Sequence, residues 1–156
     1  MTLAEAAIAT VLVGTMLVAA LNAVVATRRS QQRADRSARA VELAESLMAE
    51  ILTKPYAEDA DGGGLGPSLS EASTGDRSLF DDVDDYAGWN ETPPRDKLGT
   101  LISGFSDWSR SVTVVWETPE GVMSVSETGI KRITLTVSYD GVEVVTVSAL
   151  RVQGVE

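Results

Sequence analysis

Histidine and cysteine are both absent from this chain. The commonest general base and metal ligand is therefore missing, and so is the thiolate nucleophile. Serine with lysine is the nucleophile-and-base combination left open, but the serines lie in turn and strand contexts that account for them. Two carboxylates could hydrolyse a glycosidic bond, yet no spacing singles out a pair facing a cleft. The glycines of Gly62-Gly63-Gly64 and Gly66-Pro67 are turn or linker signals. They are not a phosphate loop, since neither Lys-Ser nor Lys-Thr nor a helix start follows. No residue is assigned a catalytic role, and the chain reads as a non-enzyme.

Carboxylates are the richest remaining chemistry. Phe80-Asp81-Asp82-Val83-Asp84-Asp85-Tyr86-Ala87-Gly88-Trp89 carries four acids in five positions. Paired Asp side chains with nearby carbonyls suit a hard cation such as calcium, although no D-x-D-x-D-G loop is present. The other reading is a solvated acidic loop pinned by Phe80, Tyr86 and Trp89, and it is the one adopted. No metal ligand and no cofactor is assigned, and calcium stays open.

Glu5 is a different case. It is the only ionisable side chain between Met1 and Ala26, and Asn22 is the only amide. As a helix, Leu3 to Ala26 would extend about 36 Å, enough to cross a hydrocarbon core of about 30 Å. A lone ionised carboxylate in such surroundings needs a partner. An α-amino group at residue 1 of a neighbouring copy could supply it, while a helix N-terminus alone would also favour the charge. A cleaved secretory signal would begin with basic residues, and none precedes this run. A plain single-pass anchor explains the length but not the carboxylate. It would also hold the flanking Arg28, Arg29, Arg33, Arg36 and Arg39 on the cytoplasmic side, and the acidic domain with them.

The rest of the chain must position these groups. Ala34, Ala38, Val41, Ala44, Leu47, Met48 and Ile51 recur at spacings of three and four. That is the apolar stripe of a continuing helix, which ends before Pro55. Gly14 inside the apolar run is a bend or close-packing point. Residues 55–109 read as an irregular loop packed by aromatics, which makes sense if it crosses the head and touches neighbouring subunits. From Arg110 the period becomes two. Val112, Val114 and Trp116 mark one strand, and Val122 to Glu127 a weaker one. Ile133, Leu135, Val137 and Tyr139 mark a third. Asp140-Gly141 is a two-residue hairpin signal leading to a last strand, Val142 to Leu150. The apolar residues of that strand, Val142, Val144, Val145 and Val147, fall on both faces, which implies cover on its second side. The expected fold is α+β, with one long N-terminal helix packed on a small antiparallel sheet and a long irregular loop between them. Its segments are 1–26, 27–54, 55–109 and 110–156.

Charge narrows the partners. The formal net charge is −10, with residues 57–156 holding 18 acids against 7 bases, while residues 27–40 hold five Arg and one Asp. An acidic head offers no patch to neutralise phosphates, so nucleic acid is excluded as a partner.

Met1-Thr2-Leu3-Ala4-Glu5, followed by the apolar helix and a small β domain, resembles the start of a mature type IV pilin or type II secretion pseudopilin. The five residues alone are a weak match; joined to the long helix and the sheet they are more specific. The resemblance is close over about 30 residues, and beyond them it covers only the plan of helix, variable loop and sheet. It implies that a prepilin peptidase removes a basic leader before Met1 and that the new α-amino group is methylated. It implies that Glu5 neutralises the N-terminus of a neighbouring subunit. Leu3, Ile8, Val11, Leu12, Gly14, Leu17 and Leu21 would pack helix against helix in the filament core. The partners implied are further copies or related pilin-like subunits, the inner membrane before assembly, the peptidase and an assembly platform with its ATPase. The protein would stand in the inner membrane first and in a periplasmic or extracellular filament afterwards. Two departures matter. The helix-breaking proline that many pilins carry late in this run is replaced by Asn22, which predicts a more continuous helix or melting centred on Gly14. The disulfide of many pilin C-terminal loops is impossible without Cys. Some pseudopilins bind calcium in a head loop, but in the C-terminal part. The Met-Thr-Leu start with Asn22 resembles a minor, tip-forming pseudopilin, and a major subunit stays open. The rival reading from another class is a single-pass anchor presenting a ligand- or calcium-binding head.

Overall fold

The computed structural model describes residues 2–57, 64–73 and 76–154. It divides into two compact units, Met1–Ala38 and Arg39–Glu156.

Helix α1 runs unbroken from Leu3 to Leu52. No proline interrupts it, and it passes through both Gly14 and Asn22. In the single chain the helix is thus continuous at both positions. Its start is fixed by a reciprocal pair of bonds. The Thr2 amide donates to Glu5 Oε2 at 2.7 Å, and the Glu5 amide donates to Thr2 Oγ1 at 3.3 Å. This is the geometry of a capping box. Throughout the described part of the first unit every residue is exposed.

The second unit opens on the C-terminal part of α1, whose buried positions are Ala40, Leu43, Ala44, Leu47, Met48 and Ile51. The stripe expected from the sequence is corrected at its beginning. Ala34 and Ala38 are exposed and Val41 stays 36% exposed, while Ala40 and Leu43 are buried instead. Ala40 has only a methyl group, so the helix can approach its neighbours closely there, and the larger Val41 is rotated outward.

The sheet is antiparallel and ordered β1 (Asn90–Glu91), β2 (Trp108–Glu117), β4 (Ile130–Tyr139), β5 (Val142–Val152), with β3 (Met123–Ser124) paired to the end of β2. Val112 and Val114 of β2 face the core with Ile133, Leu135 and Val137 of β4. The β4–β5 hairpin turns on Asp140 (φ 50°) and Gly141 (φ 73°). Positive φ at both central residues is what a type I′ turn needs. Between β4 and β5, Val137 faces Val145 but Ser138 faces Glu143, so Val144 is an extra residue in β5. This bulge reverses the in–out parity. Past the bulge Val145, Val147 and Ala149 pack toward the core, while Leu150 and Val152 alternate with them and stay exposed, so β5 is apolar on both faces near its end and its second face is uncovered among the described residues.

The weaker strand expected over Val122 to Glu127 shrinks to Met123–Ser124. Ser124 Oγ donates to the Ser126 carbonyl and accepts from the Ser126 amide. That local turn diverts the backbone from the ladder and leaves Val125 95% exposed. The segment before β2 is more ordered than a loop. It holds a single-turn helix α2 (Leu69–Ala72), a 3-10 turn (Asp84–Tyr86) and β1. Phe80 meets Tyr86 edge-on with ring centroids 5.1 Å apart, and Trp108 lies between Phe105 (5.8 Å) and Tyr139 (5.1 Å). Such pairs stabilise beyond their buried area.

Candidate functional site

The first candidate is the apolar part of α1. Leu3, Ile8, Val11, Leu12, Leu17 and Leu21 are all exposed within the chain, together with Val13, Met16, Val18, Val24 and Val25. They lie on every side of the helix, as in a span surrounded by lipid or by other helices. At about 1.5–3 kcal/mol per large aliphatic side chain, leaving this set in water would cost on the order of 20 kcal/mol. The segment is long and apolar enough to cross a membrane. Its hydroxyls are satisfied within the helix. Thr10 Oγ1 donates to the Ala6 carbonyl at 2.8 Å and Thr15 Oγ1 to the Leu12 carbonyl at 2.9 Å. Those bonds remove the donors that hydrocarbon would leave unpaired. A Cβ built on Gly14 meets nothing within 4 Å, so this chain's own packing does not require glycine there. Met1 lies outside the described residues. Glu5 is exposed, and its bond from the Thr2 amide engages one of its two carboxylate oxygens.

The second unit holds three charged clusters that sequence reading did not assemble. In the first, Arg77 is buried and grips Glu50 with two nitrogens, Nε at 3.1 Å and Nη2 at 3.2 Å. Its Nη1 reaches Glu91 Oε2 at 3.3 Å. Arg110 Nε donates to Glu91 Oε1 at 2.7 Å and its Nη1 to the Leu43 carbonyl at 3.4 Å. Tyr86 Oη donates to Glu50 Oε1 at 2.9 Å. Two guanidinium groups thus balance two carboxylates, which is how buried charges are tolerated. The arrangement ties α1 to β1 and β2. In the second cluster, Lys131 is fully buried on the inner face of β4. Its Nζ donates to Asp84 Oδ2 at 2.7 Å and to the Tyr56 carbonyl at 2.6 Å. Burial raises the Asp84 carboxyl above its ordinary value even with Lys131 beside it.

The third cluster corrects the solvated acidic loop. Phe80 and Tyr86 are buried as expected and Trp89 partly so, but Asp82, Asp84 and Asp85 are buried too. The short side chains fold back on their own backbone. Asp82 Oδ1 accepts from the Asp84 amide at 2.6 Å and the Asp85 amide at 3.2 Å. Asp85 Oδ2 accepts from the Asp81 amide at 2.7 Å and the Asp82 amide at 3.1 Å. Glu71 of α2 joins them. Its Oε2 accepts from the Ser68 amide at 2.8 Å, half of a capping box on α2. One carboxylate oxygen each from Glu71, Asp81 and Asp85 lie within 4.8 Å of one another. Burial pushes the Asp85 carboxyl up to about 7, with the Asp82 and Glu71 charges adding to the rise.

Of the lysines that could have activated a serine, Lys131 is held by Asp84 and Tyr56, and Lys54 donates to the Phe80 carbonyl. The Gly62 and Gly63 positions lie outside the described residues, and Gly66 donates its amide to the Asp84 carbonyl at 3.0 Å. In comparisons with protein-family models, with curated proteins and with solved structures, nothing matches this chain.

Proposed function

We propose that the chain is a structural subunit of a helical filament of the type IV pilus or type II secretion pseudopilus kind. The observation that carries this reading is the run of exposed apolar side chains around α1, with a single carboxylate, Glu5, at its start. A helix that is apolar on every side needs a dry environment both before and after assembly. Lipid supplies it first and the helices of other copies supply it afterwards. In this reading a prepilin peptidase exposes Met1, its α-amino group is methylated, and Glu5 neutralises that group on a neighbouring subunit. A low dielectric would strengthen the pair. The inner membrane, an assembly platform and related subunits are the partners. The acidic head faces water in the periplasm or outside the cell.

The capping box sharpens the test, because Glu5 already has a role within its own helix. A Glu5→Gln change keeps the cap, since glutamine serves at this position as glutamate does, and removes the charge. In cells carrying the assembly machinery, the variant is expected to insert in the membrane with normal helix content and to be lost from sheared filaments. Incorporation equal to the wild type would mean that the carboxylate serves only its own helix, and absence of the wild type itself from sheared filaments would favour a plain single-pass anchor.

A further inference from the structure

We infer that Arg28, Arg29, Arg33 and Arg36 form a one-sided docking stripe for the headgroup phosphates of anionic phospholipids. For this α1 must span a membrane, as the filament reading and a plain anchor both require. At about 100° per residue, the four arginines fall within an arc of about 140° of the helix surface. Outside that arc, residues 27–38 hold Thr27, Ser30, Gln31, Ala34, Ser37 and Ala38, with Asp35 as the one acid at its edge. All four arginines are exposed. Arg28, Arg29 and Arg33 have no hydrogen bond or ion pair among the described residues. Arg29 and Arg33 stand at i,i+4, and Arg33 and Arg36 at i,i+3, spacings at which like charges repel. An anionic partner lying on that one side relieves the repulsion.

Depth identifies that partner. With Ala26 at the edge of the hydrocarbon, Arg28 and Arg29 lie about 3 and 4.5 Å beyond it. That is inside a headgroup layer of about 5–7 Å per leaflet. Side chains leave an α-helix tilted toward its N-terminus, here toward the lipid. Arg33, about 10 Å out, therefore reaches back to the same layer, as long basic side chains do. Arg36, about 15 Å out, comes down when the helix leans toward its basic side, and spans lean by about 20° on average. Arg39, the next arginine, turns instead to the Gly104 carbonyl and the Phe105 ring within the second unit. The acids of another copy would have to be carried down to the membrane surface to reach Arg28 and Arg29, whereas lipid phosphate is already there. A guanidinium fork meets two phosphate oxygens at once. Residues 39–156, with 21 acidic against 9 basic side chains, are repelled by an anionic membrane. A preference for anionic lipid therefore belongs to the stripe.

The test places the full chain in phosphatidylcholine vesicles. Electron spin resonance then reads how spin-labelled phosphatidylglycerol and phosphatidylcholine partition to its lipid boundary. Phosphatidylglycerol is expected to be favoured about fivefold or more. The preference is expected to vanish when Arg28→Gln, Arg29→Gln and Arg33→Gln are combined, a change that keeps helix propensity, and to weaken in about 1 M salt. Because the chain has no cysteine, a nitroxide can be placed at Gln32→Cys inside the arc or at Ala34→Cys on the opposite side, both exposed positions. Added phosphatidylglycerol is expected to slow the first label and leave the second unchanged. Equal partition in the wild type, a preference kept by the triple variant, or equal slowing of both labels would overturn the stripe. Spin–spin broadening at Gln32→Cys that is indifferent to phosphatidylglycerol would give the face to another copy instead. A wild type extracted from the vesicles by alkaline carbonate would overturn the span itself, and the stripe with it.

Discussion

Glu50 is the residue through which α1 is fastened to the irregular segment. Burial acts to raise its carboxyl, but the bonds and charge of Arg77, with the Tyr86 hydroxyl, outweigh it and hold the group below the ordinary 4.5. A depressed carboxyl means that the ionised form is favoured by folding. Its contribution is complete above the unfolded value and is lost as pH falls through the folded one. Melting midpoints of the wild type and Glu50→Gln should therefore keep a constant gap at neutral pH. The gap should close below about pH 4.5, where the wild type itself becomes neutral at this position. A gap that persists unchanged to pH 3 would place the contribution in side-chain shape rather than charge. None of this was legible beforehand. Arg77 lies 27 positions from Glu50 and 14 from Glu91, and a charge inside an irregular stretch looks solvated when only its chain neighbours are visible. The same blindness affected the carboxylate trio. Asp81 and Asp85 stood out as a run, but Glu71 arrives from a separate helical turn. Glu5, by contrast, was conspicuous because its surroundings in sequence are uniformly apolar. Its bonds to Thr2 are equally implied by the Thr-x-x-Glu spacing.

At the scale of elements, the parts that could be read were those with an uninterrupted period. Fifty residues without proline gave α1, and alternation gave β2 and β4. Asp140-Gly141 gave the turn, because few residue pairs accept positive φ twice. What could not be read were short elements decided by single local bonds. The Ser124–Ser126 turn shortens β3, and the extra Val144 shifts the parity of β5. A bulge changes no residue type, so a pattern of valines on both faces looks the same whether the strand is covered twice or kinked once. The hairpin gives a direct check. Gly141 sits at φ 73°, and a Cβ there would meet nothing within 4 Å, so any penalty comes from backbone conformation rather than from a clash. Gly141→Val is expected to lower the stability of the head by about 1–2 kcal/mol, seen as a lower urea midpoint with an unchanged slope. A variant as stable as the wild type would show that the turn is free to adopt another type.

The whole molecule divides its apolar surface between two destinations. Among the described residues the aliphatic side chains before Ala38 are exposed, while Leu43, Leu47 and Ile51 pack in the core with the strands of the sheet. An isolated helix of 14 residues, the length left between Arg39 and Leu52, is marginal in water. It must therefore draw its stability from that packing and from the Glu50–Arg77 bonds, all of which lie within the second unit. Residues 39–156 alone are accordingly expected to fold, with a melting midpoint within a few degrees of that of the head in the full chain. They carry 21 acidic against 9 basic side chains, and like charge of this size keeps a protein dispersed. Size-exclusion chromatography with light scattering should show a monomer without detergent, and the full chain should require micelles or vesicles. An aggregated or unfolded 39–156 fragment would mean that the stability of this unit depends on residues before Arg39. A folded monomer would confine the self-associating apolar surface to residues 3–26, as the proposed filament role requires.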